Sequence, residues 1–290
     1  MIEKNVEFLA AKKLSPWRKI SFGSWRPTGD SSIYTSLHLP VANVKAYLKE
    51  NNIDMHIFLI KMLAHAIAKN PHINGVIRFG KFYPRKNVDI FYHVVSNMKE
   101  AEDLSGLVIR KADKRSWRDV SKEFKTKVIA IKKGTDKSYD QIKKSFALMP
   151  GLLARPVLDL CAFLLYNLNL WSPLLGSPKD SFGSVMLTNI GSFGADQAYC
   201  PIAPYTRIPM VVSAGKVAKR PFVIDDKVEA VETIYLSFTY DHRIMDGVQY
   251  QWLANTIKDI FMAPQILDQE FKETINRETQ SETVPVFNTP

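Results

Sequence analysis

Apolar and polar positions along this chain follow two periods, and the switches between them mark out its elements. Residues 31–39, SSIYTSLHL, alternate with period two and read as a strand that ends at Pro40. VANVKAYLKENN, 41–52, is a short helix, and MHIFLIKMLAHAIAK, 55–69, is a longer one. The longer helix gathers Phe58, Met62, Leu63 and Ile67 on one face, with Asp54 at the N-cap position and Pro71 as its stop. INGVIRFG and KFYPRKNVDIFYHVVS predict two strands around a short turn, followed by a charged loop, NMKEAEDLSG, and another strand, LVIRKA. SWRDVSKEFKTKVIAIKKG is a helix stopped by Gly134. SVMLTNI, MVVSAGKV, RPFVID and VETIYLSFTY form a strand-rich section from Ser184 to Tyr240. VQYQWLANTIKDIF, 248–261, carries Leu253, Ile257, Ile260 and Phe261 as one apolar stripe. Short strands alternating with helices along the whole chain predict an α/β two-layer sandwich with one extended mixed sheet.

FALMPGLLARPVLDLCAFLLYNLNLWSPLLG, about 146–176, breaks this pattern by being far more apolar than its surroundings. Its best uninterrupted helix is expected between Pro156 and Pro173, at the short limit for spanning a bilayer. Four roles fit it: a buried hairpin or oligomer contact, a lid or wall for an apolar substrate, a membrane-surface element, and a true span. Arg155 and Asp159, four residues apart, are more comfortable in water or an interface than in lipid. The chain divides into a domain over 1–273, which contains this segment, and a polar tail over 274–290 expected to lack order.

Composition narrows the class. A hydrophobic content of 46% in 290 residues supports a large core, and 16 Pro with 13 Gly exclude a mainly disordered chain. Cys161 and Cys200 do not make a disulfide framework and suit a reducing compartment. With no secretory signal in the first residues, a cytoplasmic protein is expected, with peripheral membrane contact through 146–176 left open. The formal charge of +10 is densest over 111–133, where solvated helix faces explain most of it. Attraction for an anionic ligand such as a nucleotide-bearing thioester comes next. Zinc-finger spacing, a Walker loop and GxGxxG are all missing, so no nucleic-acid partner is expected. His56, His65 and His72 are spaced by nine and seven, unlike a helical metal site, and no metal is assigned.

The stretch TIYLSFTYDHRIMDG carries the candidate chemistry. Leu236, Phe238 and Tyr240 face one way from the strand, and Tyr235, Ser237 and Thr239 the other. His242 follows at the strand's end, where a neutral imidazole can take a proton from a thiol, hydroxyl or amine. Asp246-Gly247 makes a turn, and Asp246 can cap the following helix or pair with an arginine. From these residues alone a catalytic and a structural role both stand.

SFTYDHRIMDG resembles the histidine motif of the catalytic domains of 2-oxo acid dehydrogenase complex acyltransferases, the dihydrolipoamide acyltransferases. Chloramphenicol acetyltransferase shares the motif. It is His, three residues, Asp, Gly, here His242, Asp246 and Gly247. FGSVMLTNIGSFG is similar to the family's strand-turn segment before the active site. WRKISF, DMHIFLIKMLAHAIAKNP, RKNVDI and LVIRKADKRSW extend the likeness over about 15–265, apart from the apolar insertion. The resemblance implies a chloramphenicol acetyltransferase-like fold and a homotrimer, or a higher assembly of trimers, with a channel between two subunits. Acyl-CoA and an acceptor enter that channel from opposite ends, with coenzyme A as substrate and no metal. His242 then corresponds to the general base and Thr188 to the family's oxyanion-stabilising serine, with Asn189 a second polar group. Asp246 would pair with Arg18, Asp241 and Arg243 would fix the loop, and Gly191 and Gly194 would shape the turn.

The chain begins close to the catalytic part, so no covalent lipoyl group is expected, and the acceptor would be free or borne by an acyl or lipoyl carrier protein. The reading is a stand-alone acyl-CoA-dependent acyltransferase, with His242 and Thr188 facing one reacting centre. A noncatalytic trimeric scaffold and a membrane- or carrier-associated binding protein of the same fold are the alternatives.

Overall fold

The computed structural model describes residues 2–10, 31–95, 104–135, 150–173 and 178–268. Its organising element is a 15-residue strand, β11 (Lys227–Asp241), long enough to carry three neighbours. β2 (Ser32–Pro40) pairs antiparallel along one edge, from Thr233↔Pro40 to Asp241↔Ser32. On the other edge, β9 (Met210–Ala214) and β10 (Ala218–Ile224) follow each other, both antiparallel to β11. β8 (Val185–Asn189) pairs parallel with β9, β5 (Ile90–Val95) parallel with β8, and β6 (Leu104–Ile109) closes the edge antiparallel to β5. The result is one seven-stranded mixed sheet, the α/β architecture expected from the alternation.

One face of this sheet is apolar because every second strand residue is. Leu236 and Phe238 at 0% exposure, with Leu187 and Val212, lie under α1 (Ala42–Asn51), α2 (Met55–Lys69), α3 (Trp117–Lys132) and α5 (Gly247–Met262). α2 is buried nearly all round, so Ile57, Leu59 and Ile60 join the four core residues read from its periodicity. Its Lys61 survives there because Nζ donates to the carbonyls of Ala112 (2.9 Å) and Arg115 (2.6 Å), while burial lowers its pKa to about 8. Asp54 occupies the N-cap backbone position of α2, but its carboxylate makes no capping bond and pairs instead with Lys125 of α3 at 2.9 Å. Ser116 does cap α3, accepting the N–H of Asp119 at 3.1 Å.

Two boundaries differ from the sequence reading. KFYPRKNVDIFYHVVS is split: β3 (Gly75–Arg78) and β4 (Lys81–Pro84) form a separate hairpin, and the chain then enters the main sheet at β5. Pro84 ends the hairpin, and Arg85 turns inward to a buried ion pair with Asp180. Among the described residues 150–173, the apolar segment is also not one helix from Pro156 to Pro173. α4 (Gly151–Ala162) runs through Pro156, loses one i→i−4 bond there, and widens into a π turn over Phe163–Asn167.

Beyond the π turn, β7 (Leu170–Trp171) pairs with β1 (Glu3–Lys4). Asn169, buried and left-handed at φ 57°, locks the junction. Its amide accepts from Val6 N–H (2.7 Å) and donates to Val6 carbonyl (2.8 Å). Ala162 and Tyr166, each 2% exposed, anchor this unit against Val6 and Val76, while Leu153 (49%), Leu160 (57%) and Phe163 (42%) face outward. Among the described residues no helix is long and apolar enough to cross a membrane. Arg18, the sequence MIEKNV…WRKISF beyond residue 10, most of the charged loop and the tail over 274–290 lie outside the described residues.

Candidate active site

The His242 loop is built by its own short-range bonds. Asp241 N–H reaches Pro209 carbonyl at 2.9 Å, and His242 N–H reaches Ser31 carbonyl at 2.8 Å, so the strand's end is held on both sides. The chain then folds back, with the N–H groups of Ile244 and Met245 both on the Asp241 carbonyl. This turn brings Met245 carbonyl 3.0 Å from His242 Nδ1. A carbonyl only accepts, so Nδ1 carries the proton and Nε2 carries the lone pair. That is the tautomer a general base needs. Asp241 holds Arg243 through Nε (2.9 Å) and Nη2 (2.6 Å) and accepts Ser31 Oγ at 3.3 Å. Its carboxylate keeps the Arg243 pKa above its usual value. Asp246 forms a capping box with Gln249 at the head of α5: Val248 N–H to Oδ1 at 3.0 Å, and Asp246 N–H to Gln249 Oε1 at 2.9 Å. The expected partner of Asp246, Arg18, is outside the described residues. Gly247 opens α5 with nothing within 4 Å of where a Cβ would stand.

Thr188 lies elsewhere. It is the fourth residue of β8, half-buried on the sheet face away from the helices, in register with Ser213, itself in register with Ser237. His242 is five residues beyond Ser237, so strand rise and two interstrand spacings put it about 20 Å from Thr188, at the opposite end of the sheet. Within one chain the two do not share a cleft. The expectation of one reacting centre faced by both is not met by a single subunit. The turn after Thr188 is set by close backbone approach: a Cβ on Gly191 would sit 2.7 Å from Gly215 carbonyl, and Gly194 is left-handed at φ 82°.

Around Thr188 the structure gathers residues that sequence reading passed over. Asn189 points to the helix side, where its amide lies 3.4 Å from His56 Nδ1, and Tyr92 hydroxyl lies 2.7 Å from the same nitrogen. Both neighbours donate, and burial lowers the His56 pKa while raising that of Tyr92, so this cluster is neutral. On the other face, continuing the Tyr92↔Leu187 register by one step sets His93 beside Thr188. His93 is packed edge-on to Phe91, its Nδ1 is buried without a partner, and burial lowers its pKa to about 4. His93 and Tyr92, adjacent on β5, face opposite sides of the sheet, and the parallel register brings His93 to Thr188. No group of metal-ligating residues occurs among the described residues.

Residues 178–267, which contain both Thr188 and His242, match the family model described as 2-oxoacid dehydrogenases acyltransferase (catalytic domain). The acetyltransferase component of the Bacillus subtilis pyruvate dehydrogenase complex is 32% identical over 87 residues, covering 30% of this chain and 19% of the relative. The match thus spans about a fifth of that protein's length.

Among solved structures, a dihydrolipoamide acetyltransferase of Azotobacter vinelandii superposes with a TM-score of 0.59 at 15% identity, covering 85% of this chain and 87% of that one. Its description concerns a serine, a histidine and an asparagine in the catalytic mechanism. The cubic core of a pyruvate dehydrogenase multienzyme complex gives 0.59 at 15% identity, with coverage of 88% and 93%. The sequence match over residues 178–267 is to 2-oxoacid dehydrogenase acyltransferase catalytic domains, and the fold is shared with such domains over most of the length.

Proposed function

We propose that the protein is a CoA-dependent acyltransferase whose reaction centre is completed between subunits, with His242 from one and Thr188 from its neighbour. The observation that carries this reading is the Nδ1–H bond from His242 to Met245 carbonyl at 3.0 Å, which leaves Nε2 basic in the matched motif. The histidine and asparagine named for the Azotobacter relative stand four positions apart, as His242 and Asp246 do here. In the proposed reaction, Nε2 takes the proton of the acceptor's thiol, hydroxyl or amine. The acceptor then attacks the thioester carbonyl, and Thr188 hydroxyl donates to the developing oxyanion. The C–S bond to CoA breaks, and the imidazolium returns its proton to the departing thiolate. Thr188 suits the donor role because its hydroxyl makes no hydrogen bond among the described residues. The cubic assembly of a structural relative supports an oligomeric state, and a homotrimer is the unit proposed here.

The test is free-thiol release from an acyl-CoA series, acetyl to palmitoyl, with dihydrolipoamide and simple amines or alcohols as acceptors. Acceptor-dependent release that is lost in His242→Ala supports the enzyme. Release that persists in that variant removes His242 from the role, and silence throughout favours a noncatalytic scaffold. A second reading rests on the outward Leu153, Leu160 and Phe163 of α4: a membrane-surface or carrier-protein contact beside the site.

A further inference from the structure

We propose that the helix layer carries a binding site for a nucleoside monophosphate, in the cavity between α1 and α3. The site is argued from the walls and charge of that cavity and does not depend on the acyl-transfer reading.

Asp268, which follows α5, builds the aromatic wall. Its carboxylate accepts the Tyr47 hydroxyl on both oxygens, at 2.9 and 2.8 Å, and the Trp117 indole N–H at 2.8 Å. Those bonds hold the two rings 6.2 Å apart at an interplanar angle of 53°. With Ile53 and Ile57 the rings line a cavity of about 550 Å³. Pockets for small molecules run from about 300 to 1,000 Å³ and are mostly apolar, with a few placed polar groups. Asn52, left-handed at φ 53° at the end of α1, adds a carboxamide that can donate to or accept from a ring edge.

The charge comes from α3. Arg118, Lys122 and Lys125 stand at i, i+4 and i+7, on one helix face, and all three line the same cavity. They belong to the basic stretch over 111–133, for which a solvated helix face is the simpler account. A solvated face gives no reason for the cations to border an aromatic cavity, and the acids nearby are engaged elsewhere. Asp119 accepts the Ser116 hydroxyl at 2.7 Å, and Glu123 pairs with Arg115 and Lys127. Asp54 pairs with Lys125 at 2.9 Å, so that cation is matched. Arg118 and Lys122 make no ion pair with any described residue. Two unmatched cations suit a phosphate monoester, which carries about 1.5 to 2 negative charges at neutral pH, whereas a lone carboxylate would match one of them. A base against Trp117 and Tyr47, with its phosphate on Arg118 and Lys122, uses both halves of the cavity.

Calorimetry on the intact protein tests this with AMP as the probe and with adenosine and inorganic phosphate as its two halves. AMP is expected to bind about 10-fold or more tighter than either half. The double variant Arg118→Met, Lys122→Met should reduce AMP to the level of adenosine. Ser121→Trp keeps every charge but fills the cavity that Ser121 lines, and should remove AMP binding. Both variants alter positions on the outer side of α3, and urea melts establish that they fold. AMP no tighter than adenosine would overturn the phosphate contact, and inorganic phosphate as tight as AMP would overturn the place of the ring. AMP binding that survives Ser121→Trp would put the nucleotide elsewhere in the protein, and no AMP binding at all would end the proposal. AMP binding without any acyl transfer would sink the proposed reaction and leave this site standing.

Discussion

Mixing two inactive variants tests whether the site is shared between subunits. Thr188 and His242 are about 20 Å apart in one chain by strand geometry, whereas a base and an oxyanion donor serving one carbonyl must each approach it to about 3 Å. His242→Ala alone should lower turnover by about 10²–10⁴-fold, and Thr188→Ala by about 10²–10³-fold. In a cyclic oligomer each site takes His242 from one subunit and Thr188 from the next. When the two variants are co-expressed at equal dose, a site is intact only if the first subunit carries Thr188→Ala and its neighbour carries His242→Ala. Random assembly makes about one site in four intact, so the mixture should recover about a quarter of the unmodified activity while either variant alone stays near background. The assay is thiol release from acyl-CoA, with native mass spectrometry to establish that mixed oligomers form. Background activity in demonstrably mixed oligomers would refute the shared site.

Four other outcomes follow from the packing. His93 has its pKa lowered by burial to about 4 from 6.5, so the unfolded chain takes up the proton first as pH falls. The neutral ring's stabilisation is present above 6.5 and lost between 6.5 and about 4, by up to about 1.4 kcal/mol per pH unit; urea melts of His93→Gln should show a shallower acid limb. Phe238→Ala, at 0% exposure between β11 and α5, should cost about 3–5 kcal/mol by the same melts. Asp180→Ala strands the buried Arg85 and should cost about 3–5 kcal/mol, whereas replacing both partners with apolar residues should recover much of it. Leu160→Ser should change stability by less than about 0.5 kcal/mol, and a loss of vesicle flotation in that variant would assign the α4 face to a membrane surface.

What could be read in the sequence was whatever depends on neighbours along the chain. The alternation Leu236, Phe238, Tyr240 fixed the core face of β11, and the capping position of Asp246 followed from the Asp-Gly turn. Long-range register was not readable. His93 comes beside Thr188 only because β5 and β8 run parallel with Tyr92 opposite Leu187, and no local pattern encodes that offset. Pro156 misled for a related reason: a proline argues against a helix interior, but Ala162 and Tyr166, anchored against Val6 and Val76, hold α4 helical across it.

Strand order carries the largest consequence. Because β9 lies between β8 and β11, parallel to one and antiparallel to the other, the C-terminal end of β8 and that of β11 emerge at opposite ends of the sheet. Thr188 and His242 leave from those two ends. A fold that separates its two candidate reacting groups in this way can use both on one substrate only by meeting a second copy of itself, so on this reading association is a condition of the chemistry.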